Sequence, residues 1–198
     1  MRSSATRRTS GSADVGPATA LRPVGWLFRW PYRVGQFLRG FRTAVDPEEA
    51  RAIARLLSEP ELRLFLAMRP RDRRHAAETM RHVLRIAADH GAIPSDEVLT
   101  AALLHDVGKG HPRVEDRVLY VILRAVSLQL VDRLATAEGG RWRLALWRLR
   151  NHSSVGAAQL ELIGSAPRVV ELTAVHHQPP AASDDQELLW LLEADEAA

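Results

Sequence analysis

The sequence contains no cysteine. This absence excludes disulfide bonds, metal sites built from thiolates and any mechanism that uses a cysteine nucleophile. A metal ion bound by this chain would have to be held by histidine, aspartate or glutamate. The eight histidines of the 198-residue chain are therefore the first residues to place.

Lysine is almost as scarce. Lys109 is the only lysine, and the other 26 basic residues are arginines. It lies in the stretch LLHDVGKG, residues 103–110, shortly after His105 and Asp106. Two adjacent polar side chains at the end of an apolar segment are costly to bury unless something pairs with them. A metal ion would be one such partner, and a helix end at the surface is the alternative explanation.

Long hydrophobic runs are also missing. The apolar run over residues 118–131 is short and is interrupted by Arg124, so it does not predict a membrane-spanning helix. The N-terminus has arginines but lacks the apolar core of a secretion signal. We therefore expect a cytoplasmic protein.

Acidic residues are rare in the N-terminal segment. Residues 1–43 contain eight arginines and one aspartate, a net charge of +7, so the rest of the chain carries −4 of the total of +3. The composition of residues 1–20 predicts a disordered tail. Residues 21–43 hold six of the eleven aromatic residues between arginines and predict a basic, aromatic arm. Such an arm can contact an anionic membrane surface or pack its aromatic side chains on the domain. Nucleic-acid binding has less support, because no recognised motif accompanies the charge.

No segment alternates with the period of two that is typical of a β-strand, and no internal repeat is visible. Apolar spacing and capping residues instead predict helices over residues 46–57, 58–68, 72–90, 95–104, 115–134, 142–150, 154–163, 167–176 and 185–196. The expected fold is all-α, with a tail over residues 1–20, the arm and N-terminal helices over 21–68, and a helical-bundle domain over 69–198. The 115–150 region would pack in the core, cover the site or form a homodimer surface.

Histidines and aspartates recur at the predicted helices and their ends. The candidates are His75, His105, Asp106, His152, His176, His177 and Asp195. Any one of these histidines alone is more often a surface or capped core residue than a ligand. The order His, His-Asp, His, His-His, Asp is more informative than any single member.

This order resembles the HD-domain (HDIG-type) superfamily of metal-dependent phosphohydrolases. The resemblance is carried by RRHAAETMRHV, ALLHDVGK, NHSSVGAAQL, AVHHQPP and LLEADEA, and it spans residues 72–197. It implies an all-α HD-domain bundle that hydrolyses a phosphoester of a nucleotide or another small molecule by a metal-bridging hydroxide. Imidazole and carboxylate ligands suit divalent Fe, Mn, Co, Ni or Zn.

The resemblance also implies a ligand set. His75, His105, Asp106 and Asp195 would surround one metal ion, and His152, His176 and His177 would hold a second, with Asp106 bridging the two. His176 and His177 are adjacent in sequence. Either both bind the metal ion, or one of them contacts the substrate or another metal ligand instead. Lys109 matches the family lysine that faces the substrate phosphate, and its alternative is a surface lysine at a helix end.

Spacing chooses between two histidines of the same predicted helix. His82 lies two turns after His75, so both face similar directions. The family places about thirty residues between its first histidine and the His-Asp pair, which fits His75 and not His82. His90 and His111 match no motif and are expected at the surface.

Departures from known subgroups narrow the activity. No Gly-Tyr-Pro follows the His-His pair, which disfavours the cyclic-dinucleotide phosphodiesterases that carry it. No acidic pair follows the His-Asp motif, which disfavours the alarmone hydrolases. The alternatives are a metal-binding regulatory or scaffold domain without turnover and an HD-like di-iron oxygenase. The sequence identifies neither the base nor the ester.

Overall fold

A computed structural model describes residues 47–178 and 185–198 of the chain. Within these two stretches the regular secondary structure is helical throughout, which confirms the all-α prediction. The predicted tail and the basic, aromatic arm lie outside the described residues. Contact of residues 21–43 with a membrane surface, the cytoplasmic location and the domain boundaries therefore stay predictions.

Nine α-helices and one short 3₁₀ turn follow one another in the described residues. They are α1 (Pro47–Leu56), α2 (Glu59–Ala67), α3 (Pro70–Asp89), α4 (Asp96–Leu104), the 3₁₀ turn (Val107–Lys109), α5 (Val114–Val126), α6 (Leu128–Leu134), α7 (Arg141–Leu162), α8 (Pro167–Val175) and α9 (Gln186–Ala197). None of these helices is both long enough and apolar enough to cross a membrane.

Local sequence signals set the starts of several helices. Ser58 precedes α2, and its backbone N–H donates to the Glu61 carboxylate at 2.8 Å, as in a capping box. Ser95 caps α4, because its hydroxyl accepts from the Val98 N–H at 3.2 Å. Pro70 begins α3 two residues before the predicted start, since proline is well suited to the first position of a helix.

The sequence placed helix breaks wrongly in two regions. The single helix expected over residues 115–134 is two helices, because Ser127 is extended (φ −169°, ψ 126°). The two helices expected over 142–150 and 154–163 are one helix, α7, which bends at Asn151 (φ −115°, ψ 15°). Asn151 Nδ2 donates to the Trp147 carbonyl at 2.9 Å, a local contact that competes with helical hydrogen bonding.

Helix α4 lies at the centre of the hydrophobic core. Val98 and the five residues 100–104 are buried, as the apolar sequence predicts. Helices α2, α3, α8 and α9 all contact α4. Phe65 of α2 and Leu191 of α9 belong to the same buried cluster as Leu104. The core thus fixes the C-terminal end of α4, where the His-Asp pair lies.

Helix α5 lies outside this core. Its only buried residue is Asp116, which accepts two hydrogen bonds from Arg141 at 2.8 and 3.0 Å. Its valines and Ile122 are exposed, so core packing, one of the interpretations of this region, does not apply to them.

Candidate metal centre

Helix ends and a helix bend bring the predicted site residues together. His105 is the C-terminal cap of α4, and Asp106 follows it directly. His152 comes one residue after the bend of α7, and His176 caps α8. The other members are His75 of α3, His177 after α8, and Asp195 of α9. All seven candidates lie close together in the structure.

The seven side chains form two adjacent groups. The first group contains His75, His105 and Asp195, and the second contains Asp106, His152, His176 and His177. Within each group the potential ligand atoms lie within 4.8 Å of one another. We call these the first and second ligand groups. Each has the size and composition of a site for one metal ion.

The Asp106 carboxylate lies between the two groups. Its Oδ2 is 3.5 Å from His105 Nε2 and 3.8 Å from His75 Nε2, both in the first ligand group. Its Oδ1 is 3.4 Å from His152 Nε2 in the second. The two oxygens of one carboxylate therefore face different groups, which is the arrangement that a bridging ligand needs.

Backbone carbonyls fix the tautomers of three buried histidines. In each case Nδ1 lies 2.7–2.9 Å from the carbonyl oxygen of the residue three positions earlier, and the pairs are His105 with Ala102, His152 with Leu149, and His176 with Thr173. A carbonyl oxygen only accepts hydrogen bonds, so Nδ1 carries the proton. In the neutral form of each ring the Nε2 lone pair then points into the cluster, as metal ligation requires.

Several polar atoms in the cluster are buried without a hydrogen-bond partner. They are His105 Nε2, Asp106 Oδ1 and His176 Nε2, none of which has a partner among the described residues. Buried polar atoms without partners are rare and costly. Lone pairs on nitrogen and carboxylate oxygen are satisfied by a divalent cation, so the residues present fit a metal ion.

The second ligand group is electrostatically prepared for a cation. Burial lowers the pKa of His176 to about 3 and that of His152 to about 4. Burial alone would raise the pKa of the Asp106 carboxyl, but the neighbouring His105 and Lys109 outweigh it and hold that pKa well below its usual range. At neutral pH this group therefore offers neutral imidazoles and an ionised carboxylate.

His105 behaves differently from the other buried histidines. Burial lowers its pKa, but the carboxylates of Asp106 and Asp195 outweigh burial and raise that pKa above the ordinary value. Burial also opposes ionisation of Asp195, but the neighbouring imidazoles of His105 and His75 outweigh it and lower the carboxyl pKa strongly. The carboxylates of Asp106 and Asp195 thus favour a positive charge beside them, which a proton on His105 or a metal ion can supply.

The only lysine contacts this centre. The Lys109 ammonium donates to Asp106 Oδ2, and its side chain is 23% exposed. It therefore reaches the carboxylate between the two ligand groups and is also open to solvent.

Gly108 has a positioning role that the sequence reasoning missed. A Cβ placed on Gly108 would lie 2.0 Å from the His152 carbonyl oxygen and 2.5 Å from the Gly156 backbone nitrogen. The 3₁₀ turn therefore packs directly on the backbone of α7, which holds Asp106 and Lys109 beside His152. The glycine of HDVGK and the glycine four residues after His152 were the available signals.

The remaining histidines lie elsewhere. His82 belongs to neither ligand group, so the structure brings His75 and not His82 to the site. His90 and His111 are exposed, as expected.

The HD domain family model matches residues 73–196. The chain belongs to the HD-domain superfamily of metal-dependent phosphohydrolases. The match begins before His75 and ends after Asp195, so the HD domain contains all seven candidates. No curated protein and no solved structure gives a significant match to the chain.

Proposed function

We propose that this HD domain is a phosphohydrolase that cleaves a phosphoester of a small molecule with the help of two divalent transition-metal ions. The observation that carries the proposal is the convergence of buried imidazole and carboxylate atoms that lack hydrogen-bond partners, at His105, Asp106 and His176. Such a cluster is costly in a protein that binds nothing there. The lysine beside it adds a contact for an anionic substrate.

Each ligand group would hold one ion. His75, His105 and Asp195, together with the Asp106 carboxylate, would hold the first ion. The second ligand group, which also includes Asp106, would hold the second ion. The nitrogen and oxygen donors favour Fe, Mn, Co, Ni or Zn. Bound ions of this kind polarise phosphoryl oxygens and provide hydroxide near neutral pH.

His176 and His177 have different surroundings. His176 Nε2 is buried and has no partner among the described residues. His177 is exposed and lies with its Nε2 2.7 Å from His152 Nε2. Because the proton of His152 is on Nδ1, His177 donates in this contact. We therefore assign ligation to His176 first, and we give His177 a role as either ligand or substrate contact.

Lys109 would bind the phosphoryl group. In the structure its ammonium contacts Asp106 Oδ2, so it is held beside the carboxylate that faces both groups. A phosphate oxygen can take over that contact, and the ammonium then stabilises the negative charge that grows in the transition state. No serine or cysteine nucleophile is required.

Metal analysis tests the proposal directly. We would purify the chain without chelator or added metal and measure its metal content by elemental mass spectrometry. We expect two ions per chain, one for each ligand group, and their loss in Asp106→Ala. A pair of variants on α3 provides a matched control. His75→Ala should lose the ion of the first ligand group, and His82→Ala should keep both ions.

Turnover separates this proposal from its alternatives. The metal-loaded protein should release phosphate or alcohol from a panel of phosphoesters, and Asp106→Ala should not. Bound metal without hydrolysis of any phosphoester would favour a regulatory or scaffold domain. A folded wild-type protein that binds no Fe or Mn even after reconstitution would contradict the proposal.

A further inference from the structure

A cleft of about 850 Å³ opens beside the metal centre. Lys109, His152 and His177 belong to its lining, and residues of α5 and the start of α6 form another part of its wall. We call it the α5 cleft. Its volume is typical of sites for small organic ligands and exceeds what a phosphate group alone would fill.

The wall of the α5 cleft is an apolar stripe. Val114, Val118, Val121 and Ile122 line it, and Leu128 extends it onto α6. The four α5 residues are spaced as one face of a helix, about 12 Å long. Val121 is 64% exposed and Ile122 is 55% exposed. Large apolar side chains are thus held open to solvent directly beside a cluster of polar groups.

The charged side chains that line the cleft are all basic. Among the described residues, five basic side chains and no acidic side chain line it. Three of the five are paired with carboxylates that lie outside the cleft lining: Arg117 with Asp72 at 2.7 and 2.9 Å, Arg150 with Asp132 at 3.0 Å, and Lys109 with Asp106. Arg71 and Arg124 form no ion pair with the described residues. The cleft therefore has a surplus of positive charge near its apolar wall.

This combination selects an anionic occupant with an apolar body. The N-terminal segment of this chain is rich in aromatic residues, but residues 1–43 carry a net charge of +7 and would be repelled by the arginines. The continuity of the cleft with Lys109 and His177 places the anionic end of a ligand at the metal centre. Its apolar part would then lie along α5.

We propose that the α5 cleft binds the alcohol portion of the substrate, and that the substrate is a phosphomonoester of an apolar alcohol. This inference rests on the proposed hydrolase function. In the reaction the oxygen of water forms a bond to phosphorus, and the ester P–O bond breaks. A proton from the water moves to the departing alcohol oxygen, which yields the free alcohol and inorganic phosphate.

Binding of alkylphosphonates tests the cleft without turnover. n-Butyl-, n-hexyl- and n-octylphosphonate keep the anionic group, and their C–P bond is not hydrolysed. Calorimetric titration of the metal-loaded protein should give a Kd that tightens about 2- to 3-fold for each added methylene, somewhat below the value for full burial. From butyl to octyl the gain should be about 15- to 80-fold. A Kd that changes less than about 2-fold across the series would overturn the inference.

Variants on α5 test the position. Val118→Ser with Val121→Ser should remove most of the gain with chain length. Val126→Ser is the matched control, because Val126 belongs to the same helix and is 71% exposed but does not line the cleft. An equal loss in the control would contradict the assignment to this wall. Light scattering on the same variants shows whether this face of α5 is a dimer surface. If the double serine variant converts a dimer to a monomer and leaves the Kd values of the alkylphosphonates unchanged, the inference is overturned.

Hydrolysis of the corresponding alkyl phosphates separates the two proposals. If phosphate is released equally well from butyl and octyl phosphate and phosphonate binding is flat, the hydrolase proposal stands and the cleft inference fails. If octylphosphonate binds tightly but no phosphate ester is cleaved, the cleft binds apolar anions and the hydrolase proposal fails. A rise in kcat/KM with chain length that disappears in the serine pair supports both.

Discussion

Gly108 and His152 contact each other through their backbones, and the space between them excludes even a methyl group, since an added Cβ would lie 2.0 Å from the His152 carbonyl oxygen. The turn that carries Asp106 and Lys109 is therefore positioned by the main chain of α7.

Gly108→Ala should disturb both the fold and the metal centre. Because the clash involves backbone atoms, the turn has to move away from α7, and overpacking of this kind costs about 3 kcal/mol, or about 6–12 °C in Tm. Thermal unfolding and metal content would be measured together. Gly140→Ala is the control, since nothing lies within 4 Å of a Cβ at that position. Unchanged stability and metal content in Gly108→Ala would show that the turn is not held by this contact.

Replacement of Lys109 should affect turnover more than metal binding. Lys109→Met removes the ammonium that contacts Asp106, so we expect kcat to fall about 10²- to 10³-fold while both ions are retained. Lys109→Arg keeps the positive charge but places it on a group of different geometry, so its kcat should lie between those of the wild type and Lys109→Met. Steady-state kinetics on a phosphomonoester and elemental analysis would measure these effects. An active Lys109→Met variant would reduce the lysine to a structural partner of Asp106.

Loss of Asp195 should empty one ligand group and spare the other. Its Oδ1 lies 2.9 Å from His75 Nε2 and 3.1 Å from His105 Nε2, whereas the second ligand group does not include it. Asp195→Ala should therefore halve the metal content measured by elemental mass spectrometry. The neighbouring exposed residue gives the control, Glu196→Ala, which should keep the full content. Full metal occupancy in Asp195→Ala would remove this residue from the ligand set.

The stability that Asp185 gives to the start of α9 should depend on pH. Its carboxylate accepts from the Leu188 N–H at 2.9 Å and also pairs with Arg168. Burial opposes ionisation, but these contacts together outweigh it and lower the carboxyl pKa. A lowered pKa in the folded state means that the stabilisation is present above the unfolded pKa and is lost as pH falls through the folded pKa.

Asp185→Ala should accordingly lower the free energy of unfolding by about 1 kcal/mol at neutral pH. The difference from wild type should shrink as the pH falls below about 4. Denaturant unfolding at several pH values measures it. Asp185→Asn keeps a capping side chain and should lose less. A difference that grows on acidification would contradict the assignment of the carboxylate as the stabilising group.

The sequence predicted helices best where a single signal dominated. The continuous apolar residues of α4 and the serine before it specified a buried helix, and the structure confirms it. The split at Ser127 and the continuation of α7 through Asn151 were missed, because one residue's backbone conformation decides each of them. The apolar periodicity that predicts helices does not record the backbone conformation of a single residue.

The site shows the same division. The residue types and their order identified the seven candidates, since the family pattern is carried by short motifs. The separation into two ligand groups, the opposite directions of the two Asp106 oxygens and the contact at Gly108 are tertiary features. Nor did the apolar residues of α5 reveal their position, because an apolar helical face has the same pattern whether it packs in a core or lines a cleft.

The distance along the chain between His75 and Asp195 has a thermodynamic consequence. Their side chains meet across 120 residues, so a metal ion held by both would act as a removable cross-link between α3 and α9. Any ion that binds only the folded chain adds RT ln(1 + [M]/Kd) to its stability, about 4 kcal/mol at a free concentration a thousand times Kd. The affinity for metal and the resistance of the whole bundle to unfolding would then be linked quantities, and a chelator would act on this protein as a mild denaturant.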